Sequence, residues 1–243
     1  MVAESLAGFT QGAAYAAFAA GFDGMVDRGP YVWNRIKKFR EEIYHGFGIR
    51  NGAGGLDGYL YLNQKRKPEP SGRQEILLTD LVFNTREAGR RLLGFLADFA
   101  TMGDDVVFSV GPAHPALMLL GQQRYKLEFH YYWMLRILNV GRALSARGYG
   151  PGLDAELHLD LDDEVVPENH GRFTLRVRDG RGEVSRGGRG ELKTSVRGLA
   201  AMYSGHLAAP ALAACGLASG DERAMRTAAT VFGGSTPWMT DFF

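Results

Sequence analysis

Hydrophobic and polar residues alternate most strictly between residues 153 and 178. Leucine or alanine occupies every second position from 153 to 161, and aspartate, glutamate or histidine occupies the positions between them. Phe173, Leu175 and Val177 alternate in the same way with arginine and threonine. A period of two predicts two strands with one buried face each. The exposed face of the first strand is acidic and that of the second is basic, so we expect antiparallel pairing that matches opposite charges.

The first 150 residues mix helical and strand-like spacing. Helices are predicted at 4–26, from Pro30, from Asn84 or Thr85, at 115–120 and from Asn139 to about 149, and strands at 58–62, 76–83, 106–110 and 129–138. We expect the strand at 106–110 to be buried. This order is typical of a compact α/β or α+β lobe, which we expect to end near Gly150-Pro151-Gly152. Further helices are predicted at 195–203, 210–215 and 221–232.

Composition narrows the classes of function. The 243 residues carry 28 basic and 27 acidic side chains, which argues against a generally cationic nucleic-acid or membrane-surface binder. Cys215 is the one cysteine, which excludes an internal disulfide and a CxxC zinc site. No apolar run reaches the length of about 18 residues that a membrane span needs, and the first residues lack the basic start of a secretory signal. We therefore expect a cytoplasmic protein that binds neither nucleic acid nor membrane.

Common catalytic and metal-binding signatures are absent. The sequence has no GxxxxGKS/T, HExxH or GxSxG motif. The acidic run at 160–164 lacks the spacing of a calcium loop, so we expect no metal. Cys215 ends an apolar helix and is expected to be a small buried residue rather than a nucleophile. His206 is expected to be a polar residue at a helix end.

The turn at Arg86–Arg91 is a candidate phosphate site. It follows a predicted strand and opens a helix, where backbone N–H groups and the helix dipole favour anions. It matches in part the R-x-x-G-x-G/A signature with which GNAT acetyltransferases hold acetyl-CoA, and Gly89 takes the glycine position. Arg91 stands where a small residue would let the backbone approach a phosphate. Acetyl-CoA binding is therefore not expected here.

Several short motifs, taken in order, point to one family. They are Asp27–Trp33, Gly58-Tyr59, Trp133–Ile137, Ala143-Leu144, Arg147–Tyr149, Leu199–Gly205, Gly216-Leu217 and Pro237 with Asp241–Phe243. In this order they resemble the enhanced-intracellular-survival family of GNAT acetyltransferases over nearly the whole chain.

The resemblance implies an architecture. Proteins of that family have an acetyl-CoA-binding GNAT lobe, a second GNAT-like lobe without cofactor, and a sterol-carrier-like C-terminal domain. This chain resembles the second and third parts, so we expect it to lack the first. We therefore expect an α+β protein with a degenerate α/β GNAT-like lobe at 1–150, an α+β sterol-carrier-like domain at 151–243, and no cofactor.

The resemblance also implies site residues. In that family the C-terminal carboxylate is the general base of the active site, and the main-chain carboxylate of Phe243 is the matching position. Such a carboxylate can act as a base because burial raises its pKa. Trp238, Asp241 and Phe242 accompany it as candidate substrate- or partner-binding residues. The alternative is that this end of the chain is only a hydrophobic anchor.

Two classes of function follow from these expectations. The first is a partner or substrate-binding subunit that completes a small-molecule-modifying active site on another polypeptide. Such a subunit would have a protein partner or form a homo-oligomer. The alternative is a stand-alone enzyme of small-molecule biosynthesis on the same scaffold, or an acetyl-CoA-dependent N-acetyltransferase that uses the Arg86–Arg91 turn. The sequence does not indicate the substrate.

Overall fold

The computed structural model of the protein describes residues 3–6, 11–67, 72–130 and 132–241. The chain forms two compact units, of which the first combines residues up to Glu128 with the segment from Trp238 onward, and the second contains Phe129–Pro237. The boundary predicted near residue 150 differs from this division, because Leu144 and Tyr149 lie in the hydrophobic core of the second unit. Both units combine helices with a mixed sheet, which confirms the α+β class.

The first unit is built on a five-stranded sheet. In chain order its elements are β1 (Glu4–Ser5), α1 (Gly12–Ala19), α2 (Pro30–Lys37), β2 (Lys38–Phe39), β3 (Glu42–Ile43), β4 (His45–Arg50), β5 (Leu56–Arg66), β6 (Gln74–Phe83), α3 (Arg86–Ala97), β7 (Gly103–Phe108) and α4 (Pro115–Leu119). The strand order is β1-β4-β5-β6-β7, in which β6 and β7 are parallel and the other pairs antiparallel. Strands β2 and β3 form a separate hairpin.

Side chains of strand β5 enter two different cores. Leu60 and Leu62 pack with α3 on one face of the sheet, whereas Tyr59 and Tyr61 pack with α1 and α2 on the other. Strand β6 is covered on both faces in the same way, and its buried acid is Asp80. A sheet that is covered on both faces leaves little room for charge, so a buried carboxylate here needs a partner.

The start and the edge of this unit differ from the predictions. Among the described residues of the helix predicted at 4–26, Gly12–Ala19 form a helix, whereas Glu4 and Ser5 pair with strand β4 instead. The strand predicted at 106–110 forms as β7, but it is the edge strand of the sheet. Val106 and Val107 are therefore exposed rather than buried.

The second unit has a five-stranded sheet in the order β10-β9-β8-β11-β12. Its elements are α5 (Val140–Ala146), β8 (Ala155–Asp162), β9 (Gly171–Arg178), β10 (Arg181–Arg186), β11 (Leu192–Ser195), α6 (Val196–Ser204), α7 (Ala209–Ala214), β12 (Ala218–Gly220) and α8 (Glu222–Val231). Strands β8 and β9 are antiparallel, and Arg176 Nε lies 2.7 Å from Glu156 Oε2 across them. The predicted pairing of acidic and basic faces is thus confirmed.

The strand predicted at 129–138 is not formed by the described residues of that segment. Phe129, Tyr132 and Met134 are exposed there. An extended segment becomes a strand only when a neighbouring strand accepts its backbone hydrogen bonds, and the sheets of the described residues do not include this segment. Among the described helices, none has the length and apolar composition required to span a bilayer.

Candidate functional site

The segment Trp238–Asp241 lies in the first unit, and Trp238 is its first anchor. The indole is buried, with its ring centre 5.2 Å from that of Phe22 and 5.4 Å from that of His114. Gly111 packs against the indole so closely that a side chain there would collide with it. Trp238 therefore fills a tight aromatic pocket.

Asp241 is the second anchor. Its Oδ2 accepts a hydrogen bond of 2.9 Å from Arg28 Nε, and the two side chains are only 4% and 1% exposed. Arg28 also donates two parallel hydrogen bonds to Asp80, from Nη1 to Oδ2 at 2.5 Å and from Nη2 to Oδ1 at 3.2 Å. The planar guanidinium is suited to such paired bonds. One arginine thus joins the segment to strand β6.

Aromatic residues complete the surroundings of Arg28. Its Cζ lies 3.7 Å from the ring centre of Tyr15 and 5.1 Å from that of Trp33, an arrangement that stabilises a desolvated cation. The hydroxyl of Tyr59 donates to Asp80 Oδ2 at 2.8 Å and accepts from Arg28 Nη1 at 3.3 Å. Each nitrogen of the guanidinium therefore has a partner.

In this cluster one positive charge faces two carboxylates. Burial would lower the pKa of Arg28, but the Asp80 carboxylate raises it above its usual value, so the guanidinium stays charged. Burial raises the pKa of the Asp241 carboxyl above 3.8, in spite of the contact with Arg28. Burial also raises the pKa of Tyr15 to about 12 and that of Tyr59 well above 10. Both phenols therefore remain protonated at neutral pH, where they act as hydrogen-bond donors and not as bases.

His114 lies beside the Trp238 pocket and bonds to the edge of strand β6 at a point where strand β7 no longer pairs with it. Strand β6 continues to Phe83, but its pairing with β7 ends at Leu78. Beyond that point His114 Nε2 lies 3.2 Å from the Leu81 carbonyl oxygen, and Nδ1 accepts a 3.1 Å bond from the Ala116 N–H. These partners assign the proton to Nε2. Burial lowers the pKa of His114 to about 4, so the ring is neutral at physiological pH.

The predicted phosphate turn forms the start of helix α3. Thr85 caps the helix with its hydroxyl oxygen, which is one of the two predicted caps. Glu87 lies in the first turn and accepts a 2.6 Å bond from Arg91 Nε. Gly89 is pressed against the sheet, and a Cβ at this position would lie 2.8 Å from the ring of Phe83. An ion pair and close packing therefore occupy this turn.

A groove of about 460 Å³ opens on the second unit, where the parallel strands β8 and β11 end and helix α6 begins. Its polar lining consists of carboxylate, imidazole, amine and hydroxyl groups from Asp160, Asp162, His170, Lys193, Thr194, Ser195 and Ser219. His170 Nδ1 lies 3.2 Å from Asp162 Oδ1. In the part of the chain that the structure describes, no group of three or more His, Cys, Asp or Glu side chains is arranged to hold a metal ion.

Two residues weighed for chemistry lie near helix ends of the second unit. Cys215 is exposed, so its expected burial is wrong: it follows helix α7, whose buried side is formed by Ala209 and Leu212. His206 follows helix α6 as predicted, and its ring centre lies 5.7 Å from that of Tyr132.

The structure brings together some predicted residues with others that sequence reasoning missed. Trp238 and Asp241 lie in the first unit, whereas Phe242 and Phe243 fall outside the described residues. Arg28, which binds Asp241, and Asp80, which binds Arg28, were not predicted as site residues. A carboxylate inside an otherwise apolar strand was the available signal for Asp80, since a buried charge requires a partner.

Comparison with domain families separates the chain into two known parts. An acetyltransferase (GNAT) domain matches residues 24–137, and a sterol carrier protein domain matches residues 140–240. The chain joins a GNAT acetyltransferase domain to a sterol carrier protein domain. The order of the two domains is the one that the resemblance implied.

Solved structures share the fold of both domains. A GCN5-related N-acetyltransferase from Anabaena variabilis is 32% identical with a TM-score of 0.89, over 96% of this chain and 59% of that chain. A GCN5-related N-acetyltransferase from Kribbella flavida is 28% identical with a TM-score of 0.78, over 100% and 59%. Eis1 from Mycobacterium abscessus, at 23% identity and a TM-score of 0.75, covers 100% and 63% and shows the fold. The chain thus spans about three fifths of each relative's length. No curated protein matches it.

Proposed function

We propose that the acetyltransferase domain of this chain does not itself hold acetyl-CoA, and that the chain is a partner or substrate-binding part of a GNAT N-acetyltransferase. An acetyl-CoA-binding lobe on another polypeptide would supply the cofactor. This chain would complete the active site, which modifies a small molecule. The observation that carries the proposal is the Glu87–Arg91 pair in the first turn of helix α3.

A turn that binds pyrophosphate needs accessible backbone N–H groups and a positive potential. The Glu87 carboxylate already supplies the negative charge that the start of the helix favours, and it repels a second anion. Arg91 stands where the GNAT signature has a small residue, and its side chain is held in place by Glu87. Both features disfavour acetyl-CoA at this turn.

The strand edge next to the turn supports the same proposal. An extended ligand can bind along a strand edge when the backbone groups of that edge are free. Here His114 already bonds to the Leu81 carbonyl, and it is buried beneath Trp238. A ligand would have to displace both side chains.

The active-site contribution that we propose comes from residues after Asp241. By the family resemblance, the carboxylate of Phe243 would act as general base in the completed site. The burial of Trp238 and the Arg28–Asp241 pair support this role, since they hold the preceding residues in one place. The acceptor would be a small molecule that this carboxylate deprotonates.

Isothermal titration calorimetry with acetyl-CoA tests the cofactor part of the proposal. We expect no binding heat at millimolar acetyl-CoA, because Glu87 and Arg91 occupy the turn. A one-to-one complex with micromolar affinity would contradict the proposal.

A matched variant tests whether the turn is the cause. Glu87→Gln combined with Arg91→Ala removes the ion pair and restores the R-x-x-G-x-A pattern. If the variant binds acetyl-CoA and the natural chain does not, the turn is the feature that excludes the cofactor. Absence of binding in both proteins would assign the exclusion to the closed strand edge at His114 as well.

A stand-alone enzyme of small-molecule biosynthesis is the second candidate. The polar groove of the sterol carrier domain favours it, because Asp162, Lys193 and His170 converge there in a volume sufficient for a small ligand. Turnover of a substrate by the purified chain, without any companion protein, would distinguish this candidate from the first.

A further inference from the structure

The segment 238–241 is held in the manner of a bound peptide. It belongs to no helix or strand. The Trp238 N–H donates to the Asp23 carbonyl at 3.1 Å, and the Thr240 hydroxyl lies 3.4 Å from Arg28 Nη2. Together with the buried Trp238 and Asp241 side chains, these contacts attach the segment without making it part of the sheet.

The groups that receive the segment are also held by one another. Arg28 has contacts that do not involve Asp241, namely its paired bonds to Asp80 and its contact with the Tyr59 hydroxyl. On the Trp238 side, the ring centre of Phe18 lies 4.8 Å from Phe22 and 5.6 Å from His114. The receiving groups therefore have contacts among themselves that do not involve the segment.

We propose that Arg28 is a positioning residue that docks the segment 238–241 on the first unit as a latch. The inference rests on the proposed function only for what the end of this segment does in the completed site. Docking itself is a property of this chain and can be measured without any partner.

The geometry explains why an arginine is required. Asp80 occupies the two terminal nitrogens of the guanidinium, and Nε remains to receive Asp241 from a different direction. A lysine ammonium has no such fixed fork, so it cannot hold two buried carboxylates in this arrangement. Arg28 thus binds a carboxylate at one defined position of the segment.

Amide hydrogen exchange on the full chain tests the latch, because the Trp238 amide is bonded only while the segment is docked. The variant Asp241→Ala removes the hydrogen bond to Arg28 and leaves the Arg28–Asp80 pair in place. We expect exchange at the Trp238 amide to rise by about 10- to 100-fold, the range for loss of a hydrogen bond to a charged group. Exchange in strands β5 and β6 should stay unchanged.

Asp27→Ala is the matched control, since Asp27 is an exposed acid next to Arg28. It should leave exchange of the segment unchanged. The latch is disproved if Asp241→Ala accelerates the segment and strands β5 and β6 by the same factor, because Asp241 is then an ordinary part of the core. It is also disproved if exchange of the segment does not change.

Two further variants separate geometry from charge. Asp241→Glu keeps the carboxylate and should restore part of the protection that Asp241→Ala removes. Arg28→Lys keeps the positive charge, yet it should open the segment as Asp241→Ala does; protection equal to that of the natural chain would overturn the role of the guanidinium. Acetyl-CoA binding has no influence on these results, so failure of the latch and failure of the proposed function remain distinguishable.

Discussion

A single neutral histidine bonds to a backbone carbonyl at the edge of β6, where no neighbouring strand among the described residues does so. His114 donates through Nε2 to the Leu81 carbonyl and accepts the Ala116 N–H through Nδ1. The two bonds together require the uncharged ring with its proton on Nε2, because Nδ1 must be unprotonated to accept a hydrogen bond. Burial lowers its pKa to about 4, against 6.5 for a free histidine, so the folded state resists protonation.

Stability should therefore depend on pH through His114. The folded-state pKa is depressed, so the unfolded chain binds a proton first, and stability falls as the pH is lowered from about 6.5 to about 4. The expected contribution is on the order of 3 kcal/mol over this range. Urea unfolding at pH 7 and pH 4.5 measures it in the natural chain and in His114→Asn, which keeps the helix-capping acceptor but does not reach Leu81. The variant should lose about 1–3 kcal/mol at pH 7 and show a weaker pH dependence.

Asp241 changes the stability with pH in the direction opposite to that of His114. Its raised pKa makes the folded state bind a proton more readily than the unfolded chain, so its contribution grows as the pH falls. Asp241 is present in both the natural chain and His114→Asn, so its contribution cancels when the pH dependence of the two proteins is compared. His45→Asn, at an exposed histidine, is the control. An equal pH dependence in the natural chain and His114→Asn would refute the role assigned to His114.

At the scale of elements, the connection from β10 to β11 crosses the outer face of the second sheet. The strand order requires it to pass over β9 and β8. Gly187, Gly188 and Gly190 all have positive φ in this connection. Beneath it His158 Nδ1 lies 3.1 Å from Thr174 Oγ1, so the glycines let the backbone lie directly on two buried polar side chains.

Gly188→Ala should therefore destabilise the second unit more than Gly187→Ala. Gly188 has a φ of +113°, and a Cβ there would lie 2.6 Å from His158 Nδ1. Gly187 has a φ of +94°, but a Cβ there meets open space. We expect losses of about 2–4 kcal/mol for Gly188→Ala and about 1–2 kcal/mol for Gly187→Ala, from backbone strain with and without steric overlap. Urea unfolding measures both, and equal losses would show that the contact with His158 is unimportant.

At the scale of the molecule, the chain leaves its first unit and returns to it. Residues 129–237 form the second unit, and Trp238 brings the chain back to the first. Arg28 and Asp241 are separated by 213 positions in the sequence and are nevertheless in direct contact. The first unit is therefore assembled from both ends of the described sequence.

Purification from the native host tests the proposed function at this scale. We expect a companion that contains an acetyl-CoA-binding GNAT lobe, because we propose that the turn with Glu87 and Arg91 does not hold the cofactor. Size-exclusion chromatography with mass spectrometry should find the two together, with acetyl transfer detected only in the complex. A chain that is isolated alone and active alone would favour the second candidate function.

The sequence by itself determined the elements whose signals are local. Alternation along β8 and β9 predicted which face of each strand is buried and which charge the other face carries, because a period of two sets which face each side chain takes. The register that places Glu156 opposite Arg176 came from the structure. The helix starts at Thr85 and Asp221 were also predictable, since a cap needs only the next turn of the same helix.

Only the tertiary structure decided the features that depend on distant neighbours. Whether 106–110 was buried and whether 129–138 formed a strand depended on which strands lay beside them, and alternation within a segment carries no information about its neighbours. Trp238 and Asp241 stood out in the sequence, but their partners Arg28 and His114 lie more than 100 positions away. The directional hydrogen bonds and close packing that join them exist only once the chain has folded, and they make the segment at 238–241 a docked part of the first unit.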